Sequence, residues 1–271
     1  CLKLGELAFK RDDKDEAVEI WESALRKLGG KLPAEWTMPF HAFKEIATQT
    51  LHSFFPGKFL RTSPVEASLR DRLAWRLYSR LAYGYWYLKG QMPLLYVHLR
   101  GMNLAEKFVP TAELAQAYSE HAPAMSLIPL SRRGIAYGRR SLEIRTAMED
   151  VWGQGQSLHF LAIALYSAGR FEECIDVGRR SVRILDRAGD FWEKHIAQYQ
   201  VAASLYRLGR LTEAVQLCRE AYDSGLAVGD DQVCGNIIEV WARATDGDLP
   251  TEIVQRELER PRADVQGRAH V

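Results

Sequence analysis

The chain has 271 residues, of which 47% are hydrophobic and 26% are charged, a composition close to the average of folded globular proteins. Thirty-six Lys and Arg stand against 35 Asp and Glu, giving a formal net charge of +1, which excludes a uniformly basic surface for polyphosphates. Four cysteines are too few for a disulfide scaffold, so we expect a reducing, cytoplasmic compartment. The sequence has no run of about 18 uncharged apolar residues, so no membrane span is expected.

The chain opens on CLKLGELAFKR, which already has a helical pattern and carries neither an initiator Met nor a signal-peptide core. It closes on TEIVQRELERPRADVQGRAHV (251–271), which predicts one more helix and the start of another. We therefore expect this sequence to be a piece of a longer protein.

Segments of the chain recur in register at a fixed spacing. IAYGRRSLEI (135–144) aligns with IDVGRRSVRI (175–184) and with VQLCREAYDS (215–224). Three single-residue series share this spacing: Ala82, Ala122, Ala162, Ala202 and Ala242; Asp150, Asp190 and Asp230; and Gly101, Ser141, Ser181 and Ala221. A period of about 40 residues is typical of repeat proteins in which every unit is one supersecondary motif.

Each unit has the pattern of two antiparallel helices. The aspartates precede apolar residues at three- and four-residue steps, such as Leu158, Leu161 and Leu165, and an aspartate at that point caps the first helical turn. Gly169 and Gly209 follow the first helices, and glycine tolerates the left-handed conformation that ends a helix. Because no strand alternation competes with this pattern, we predict an all-α chain of stacked antiparallel helix pairs.

Residues 29–69 interrupt the period. Between prolines and glycines lies FHAFKEIATQTLHSFF (40–55), an amphipathic helix with Phe40, Phe43, Ile46, Leu51, Phe54 and Phe55. Two alternatives stay open: a helix that binds a partner or a membrane surface, and an irregular helix that closes the core. We favour the second, because the segment carries only one or two lysines and anionic membranes attract basic clusters.

We divide the chain into four parts. These are a partial repeat unit at 1–28, an irregular helical insert at 29–69, repeats of about 40 residues at 70–245, and a truncated helical segment at 246–271. The unit at 111–147 departs most from the pattern, since Pro123 and Pro129 stand near its turn. Proline removes a helical hydrogen bond, so we expect the first helix of this unit to be short or kinked.

These repeats resemble the tetratricopeptide repeat (TPR), whose first helix has the pattern W-x2-L-G-x2-Y. CLKLGELA (1–8) and LHFLAIAL (158–165) match that helix, and GRFEEC (169–174) and GRLTEA (209–214) match the turn and the start of the second helix. The resemblance implies a right-handed α-solenoid. Forty-residue units resemble those of large bacterial signalling proteins that carry a STAND-type or AAA-type ATPase module, such as maltose-activator-like and cyclase- or kinase-linked regulators.

The resemblance also implies a binding surface, since positions two, five, nine, twelve and thirteen of the first helices line a concave groove in TPR stacks. Tyr, Trp and Arg dominate binding hot spots. On this chain the groove positions are Arg76, Ser79, Tyr83, Trp86, Tyr87, Gln156, His159, Tyr166, Tyr199, Tyr206, Arg207, Asn236, Glu239 and Arg243. The alternative is that several of these aromatic residues fill gaps between repeats.

No motif for catalysis, a metal or a cofactor stands out. The seven histidines lack zinc-ligand spacing, and no phosphate-binding loop occurs. His98 and His121 fall on core-type positions and Cys174 and Cys218 on small positions, so we expect structural roles for them. A Cys–His or Ser–His–Asp site stays open.

Arginine pairs occur at 132–133, 139–140 and 179–180 on second helices. Such a series can follow a phosphate backbone. We favour a solvated outer face beside acids such as Glu143 and Glu173, because a near-zero net charge argues against a large phosphate footprint.

We therefore expect a non-enzymatic scaffold or sensor region that binds a protein or peptide segment, or a small effector, in its groove. It relays that state to an ATPase, cyclase or kinase module of its parent protein. No nucleic acid partner is favoured, and self-association through the parent protein stays open. The alternatives are a helical enzyme with a cleft His and acid, and a nucleic-acid-binding solenoid.

Overall fold

The computed structural model describes residues 1–11, 13–63, 65–126 and 130–259. The predictions at Pro129 and over 260–271 lie outside these residues. The described part contains no strand, one 3-10 helix at Glu35–Thr37 and fourteen α-helices. The α-helices are α1 (Leu2–Lys10), α2 (Lys14–Lys27), α3 (Met38–Phe54), α4 (Pro56–Phe59), α5 (Leu69–Leu88), α6 (Gln91–Ala105), α7 (Ala112–Ala124), α8 (Ser131–Ala147), α9 (Val151–Ser167), α10 (Phe171–Ala188), α11 (Phe191–Arg207), α12 (Leu211–Val228), α13 (Asp231–Ala244) and α14 (Thr251–Glu259). The all-α solenoid prediction is confirmed.

The helices stack in pairs. Helix α5 packs on α6, α7 on α8, α9 on α10 and α11 on α12, and each second helix also packs on the first helix of the following pair. First helices contact one another as well, α7 with α9, α9 with α11 and α11 with α13. Because the inner row of a curved stack is the row whose helices approach one another, the first helices form the concave face.

The ends of the helices follow the repeat. Asp150, Asp190 and Asp230 each accept a hydrogen bond from the backbone N–H three residues further on, at 2.9, 3.2 and 3.1 Å. Gly169 and Gly209, both at φ 72°, end α9 and α11 in the left-handed conformation. The predicted caps and turns are therefore confirmed.

Small residues bring the two helices of a pair together. Ser141 Oγ donates to the Ala115 carbonyl at 2.6 Å, and Ser181 Oγ donates to the Gly155 carbonyl at 2.7 Å. The same contact thus recurs in the following repeat unit. A larger side chain at either serine would separate the backbones and break a buried hydrogen bond.

The alanine and cysteine positions fill the seams between helices. Ala82, Ala122, Ala162 and Ala202 are buried, whereas Ala242 is partly exposed. Cys174 and Cys218 are fully buried, as predicted. Burial raises the pKa of these thiols to about 11 and about 12, because a desolvated thiolate is unfavourable.

The unit at 111–147 has the short first helix that was expected. Helix α7 has 13 residues, whereas α9 and α11 have 17 each. Pro123 lies in the last turn of α7, where its missing N–H removes one backbone hydrogen bond just before the helix ends at Ala124.

The insert leaves the stack unbroken, because α2 packs directly on α5 while α3 lies outside, on α6. Helix α3 buries Glu45, Gln49 and His52. Its large apolar side chains are exposed: Phe40 71%, Phe43 69%, Ile46 39%, Leu51 45%, Phe54 73% and, just after the helix, Phe55 57%. The segment contributes to the N-terminal core through Met38 and Ala42, and its phenylalanines stay outside that core.

A buried polar network explains this orientation. Asn103 Nδ2 donates to Glu45 Oε2 at 2.8 Å. His52 Nδ1 lies 2.5 Å from Glu106 Oε2, and Tyr118 OH donates to Glu106 Oε1 at 3.0 Å. Leaving such buried groups without partners costs about 1–3 kcal/mol each. The polar face of α3 therefore stays inward and its apolar face points outward.

Glu149 occupies the position that Gly189 and Gly229 hold in the following units, and its φ of 55° is also in the left-handed region. That region costs a non-glycine residue about 1–2 kcal/mol, offset in part by the greater unfolded-state freedom of glycine. We expect Glu149→Gly to raise the free energy of unfolding by roughly 0.5–1 kcal/mol in urea denaturation. Gly189→Glu is the reverse control and should be destabilising; a less stable Glu149→Gly would contradict the assignment.

Two helical glycines differ in the space beside them. A Cβ added at Gly178 in α10 would lie 2.5 Å from Val201 Cγ2 in α11, whereas one at Gly235 in α13 would meet no atom within 4 Å. We expect Gly178→Ala to lower stability by about 1–3 kcal/mol through overpacking, and Gly235→Ala to raise it by about 0.5–1 kcal/mol. Thermal unfolding followed by circular dichroism measures both. A Gly178→Ala variant that is as stable as the unmodified chain, or more stable, would show that the α10–α11 seam is not close-packed.

Candidate functional site

The concave face contains a cavity of about 280 Å³ where α1, α5, α7 and α9 meet. It is lined by Leu2, Lys3, Glu6, Trp75, Arg76, Ser79, Arg80, Ala112, Glu113, Gln116, Arg145 and Trp152. Four of these side chains are cationic and two are carboxylates, so the wall has an excess of positive charge. Of the fourteen predicted groove residues, Arg76 and Ser79 line this cavity.

Glu113 holds one side of the cavity. It accepts hydrogen bonds from Arg72 Nε at 3.0 Å and pairs with Arg76 Nη2 at 2.7 Å. Burial opposes ionisation of Glu113, but the hydrogen bonds from the two arginines lower its pKa below the usual value. Arg76 remains half-exposed, so its free edge faces the cavity opening.

Glu193 occupies the equivalent place two repeat units further on, in α11. Gln156 Nε2 donates to Glu193 Oε1 at 2.9 Å, and His159 Nδ1 lies 2.5 Å from Glu193 Oε2. Burial opposes ionisation here too, but His159 and Gln156 lower the pKa of Glu193. Gln156 and His159 are 4% and 2% exposed. These two predicted residues thus form the floor of the concave face instead of an open wall.

A third carboxylate, Glu120, lies at the centre of the concave face. Ser79 Oγ and Gln116 Nε2 donate to Glu120 Oε1 at 2.7 and 2.8 Å. Burial raises the pKa of Glu120, and the charge of Glu193 raises it further, whereas hydrogen bonds and the charge of Arg80 act in the opposite direction. Glu120 is thus a carboxylate whose charge is only partly compensated by its neighbours.

The other predicted residues of α5 lie beyond this centre. Tyr83 is partly buried, and the Arg80 guanidinium lies 5.9 Å from the centre of its ring. Burial raises the pKa of Tyr83 well above its usual value, together with the charges of Glu120 and Glu193. Trp86 and Tyr87 are exposed at the end of α5.

The predicted residues of α9 and α11 form a separate group. Arg207 Nε donates to the Tyr166 hydroxyl at 3.3 Å. Tyr166, Tyr199 and Tyr206 are partly buried against the C-terminal core. These tyrosines fill space between repeats, as the alternative interpretation expected, and they present only part of each ring to solvent.

The predicted residues of α13 continue the concave row. Asn236, Glu239 and Arg243 are exposed, and Arg243 Nη2 pairs with Glu239 Oε1 at 2.7 Å. The structure therefore distributes the predicted residues along the whole face and does not gather them into one pocket.

Two tryptophans of this face were missed from sequence. Trp152 Nε1 donates to Asp190 Oδ2 at 2.8 Å, and Trp192 Nε1 donates to Gln232 Oε1 at 3.3 Å. Both indoles are partly exposed. The two tryptophans are one repeat period apart in the sequence, and each contacts the following unit from the same position of its own unit. This spacing was the signal that could have identified them.

Several arginines of these pairs have acidic partners, whereas Arg133 donates to Ser53 of α3. Arg139 lies 3.6 Å from Glu173, and Arg140 lies 2.8 Å from Glu143. This agrees with the predicted solvated face, on which exposed ion pairs contribute little to stability.

Within the described ranges, no group of three or more His, Cys, Asp or Glu side chains is arranged to hold a metal ion. In the same part of the chain, none of the helices combines the length and the apolar character that crossing a bilayer requires.

Comparison with known sequences identifies one short match. The sequence profile described as tetratricopeptide repeat matches residues 197–225, which span most of α11, the turn after it and most of α12. No curated protein sequence matches the chain.

Solved structures with a similar fold are more numerous. A STAND (signal transduction ATPase with numerous domains) protein with a tetratricopeptide repeat sensor from Pyrococcus horikoshii has a TM-score of 0.57 at 14% identity; the alignment covers 94% of this chain and 34% of that protein. BtubC from P. vanneervenii has a TM-score of 0.56 at 12% identity, covering 84% of this chain and 91% of its own. Aspartyl phosphate phosphatase F from Bacillus subtilis has a TM-score of 0.54 at 10% identity, covering 95% and 72%.

At these identities the comparison shows the fold alone, and this chain spans about a third of the Pyrococcus protein. The repeat match, the stacked helix pairs and these neighbours together show that the chain is a tetratricopeptide-repeat-like helical protein resembling the repeat regions of STAND proteins.

Proposed function

We propose that this chain is an interaction module whose concave face binds a protein or peptide segment. The observation that carries the proposal is the cavity of about 280 Å³ between α1, α5, α7 and α9, which combines two tryptophans with arginines held in fixed positions. Aromatic and arginine side chains provide large contact areas and directed hydrogen bonds, which is why they dominate binding hot spots.

The charge of the cavity favours an acidic ligand. Arg76 and Arg80 are 50% and 38% exposed although each is paired, with Glu113 and Glu6 respectively. A ligand carboxylate could bind the remaining N–H groups of these guanidiniums in the bidentate manner that arginine favours. Trp152 lines the same cavity and, at 37% exposure, offers an aromatic surface. An extended segment with acidic and aromatic residues is thus the ligand class that fits best.

The proposal extends to the role of the repeats within a larger protein. The Pyrococcus neighbour is described as a signal transduction ATPase whose repeats are a sensor. By analogy with it, we infer that this stack senses a segment or a small effector for an ATPase-linked regulator. A ligand in the groove would change the state of the ATPase module only if it binds more tightly to one curvature of the helical stack than to another.

Titratable groups do converge on the concave face, as the enzyme alternative requires. His159 and Glu193 are nonetheless buried against each other, so neither offers an accessible base or acid. We infer that this pair fixes the position of α11 against α9 and takes no part in chemistry. Glu120, coupled to Glu193 across the face, then tunes the charge of the groove.

Loss of cavity side chains should weaken ligand binding. We expect Arg76→Ala combined with Trp152→Ala to reduce the affinity for acidic, aromatic peptides at least tenfold, which corresponds to about 1.4 kcal/mol. The probe is a set of labelled peptides containing Glu, Asp and Phe, measured by fluorescence anisotropy beside the same peptides with Gln and Asn.

Arg179→Ala combined with Trp36→Ala is the matched control, because both residues are exposed outside the cavity. This control should bind like the unmodified chain. An absence of saturable binding to either peptide set, or an equal loss in the control, would contradict the groove proposal.

The two central carboxylates should affect stability with opposite signs. The pKa of Glu193 is lowered, so its stabilising contribution is present above its usual pKa of 4.5 and is lost as the pH falls through its folded pKa. The pKa of Glu120 is raised, so its contribution is complete below 4.5 and is lost as the pH rises through its folded pKa.

We expect Glu193→Gln to lower the melting temperature at neutral pH, with a smaller effect in acid. Glu120→Gln should raise or preserve the melting temperature at neutral pH. If the melting temperatures of the two variants changed with pH in the same way, this assignment would be contradicted.

A further inference from the structure

The outward face of α3 forms a ridge of aromatic side chains. Phe43 and Phe54 are 69% and 73% exposed, and eleven residues correspond to almost three whole helical turns, so both lie along one line. Phe40, 71% exposed, lies beside them. Trp36 and Phe55 extend the ridge at its two ends, with exposures of 86% and 57%.

This ridge does not result from loose packing. Helix α3 is anchored through its polar face by Glu45, which accepts from Asn103, and by His52, which contacts Glu106. These contacts fix the rotation of the helix about its axis. Soluble monomers rarely expose contiguous apolar patches larger than a few hundred Å² unless the patch binds something, and here the fold holds the apolar side outward.

The exposed charges along α3 and in the segment that follows it to Arg61 have one sign. Between Met38 and Arg61 the sequence has one acidic residue, Glu45, and it is buried beside Arg100 at 3.2 Å. The exposed charged side chains of this segment are Lys44, Lys58 and Arg61. The count of one or two lysines over 40–55 left out Arg61, and it left out Arg133 of α8, which the fold brings against Ser53 of α3. A surface that complements them must be apolar where it meets the aromatic residues and anionic beside them.

The shape of α3 distinguishes between such surfaces. The helix packs on α6 and also reaches α8, where Gln49 Nε2 donates to the Tyr137 hydroxyl at 2.6 Å. Because it lies outside the repeats on these second helices, its free side is convex. A second copy of the same ridge would bring like charges together, which is unfavourable. An anionic bilayer surface offers a flat apolar boundary beside negative headgroups, and it binds helices with an aromatic face and a basic flank.

We propose that α3 docks this protein on an anionic lipid bilayer surface, with the helix axis parallel to the membrane plane. Phe40, Phe43 and Phe54 insert between the headgroups, and Lys44, Lys58 and Arg61 lie against the acidic phosphates. The site is separate from the concave groove, since α3 lies on the second helix of its pair and the groove is formed by first helices.

The test is co-sedimentation of the whole chain with vesicles of phosphatidylcholine alone and of phosphatidylcholine with phosphatidylglycerol. We expect binding to the anionic vesicles, at least tenfold weaker binding to the neutral ones, and weakening by high salt. Phe43→Asp combined with Phe54→Asp should reduce anionic binding at least tenfold while the melting temperature is maintained, because both side chains are exposed. Lys44→Glu combined with Lys58→Glu should reduce binding to the anionic vesicles and leave binding to the neutral vesicles unchanged.

Leu211→Asp combined with Val228→Asp on α12 is the matched control, since these residues are also exposed and apolar; it should bind like the unmodified chain. The proposal is overturned by an absence of binding to anionic vesicles, by equal binding to neutral ones, or by equal loss in the control. It is also overturned if light scattering shows a dimer that Phe43→Asp with Phe54→Asp dissociates, because a second copy would then cover the ridge.

Discussion

The stack depends on the close approach of the two helices in each pair. Ser181 reaches the Gly155 carbonyl at 2.7 Å, and Ser141 makes the same contact one unit earlier at 2.6 Å. This approach is possible only where both helices carry small residues. At these contact positions, the repeat units therefore share a small side chain more strictly than they share one residue type. Because every such contact is local to one pair, an insert between two pairs changes neither of them. The direct packing of α2 on α5 across the 29–69 insert is the consequence.

The elements that sequence predicted correctly are those set by local rules. An aspartate before an apolar run accepts the backbone N–H of the first turn whatever lies beyond the unit. A glycine at the end of a helix adopts the left-handed conformation for the same reason, and the repeat period identifies both. Small residues on one ladder must face a neighbouring helix, which is why Cys174 and Cys218 could be assigned to the core.

The orientation of α3 could not be predicted in this way. Its hydrophobic pattern indicated that the phenylalanines face inward, because burial of apolar surface is the dominant driving force. The opposite result depends on Glu45 and His52 finding Asn103 and Glu106, which lie 58 and 54 residues away in sequence. A pattern read along one helix contains no information about partners at that distance. The sequence therefore left the orientation of α3 open, because long-range hydrogen bonds outweigh the local amphipathic signal.

On the concave face too, some features follow from local sequence and others depend on contacts with neighbouring helices. Transferring groove positions from the repeat family placed residues on the correct helices, but accessibility depends on what the neighbouring helix contributes. Arg76 and Gln156 are equivalent positions in units that lie two repeats apart. Arg76 stays half-exposed because Glu113 also pairs with Arg72, whereas Gln156 is covered once Glu193 bonds both it and His159.

Helix α7 connects the two surfaces of the molecule. Its Glu113 and Glu120 face the groove, where they contact Arg76 and Ser79 of α5. Its Tyr118 donates to Glu106, the same carboxylate that holds His52 of α3. A displacement of α7 would thus alter the groove and loosen the anchor of the aromatic ridge together, since buried hydrogen bonds of this kind tolerate little stretching. Energetic coupling between the surfaces requires that a groove ligand favour one position of α7 over another. The network therefore provides the physical link, and the differential affinity of the ligand sets its strength.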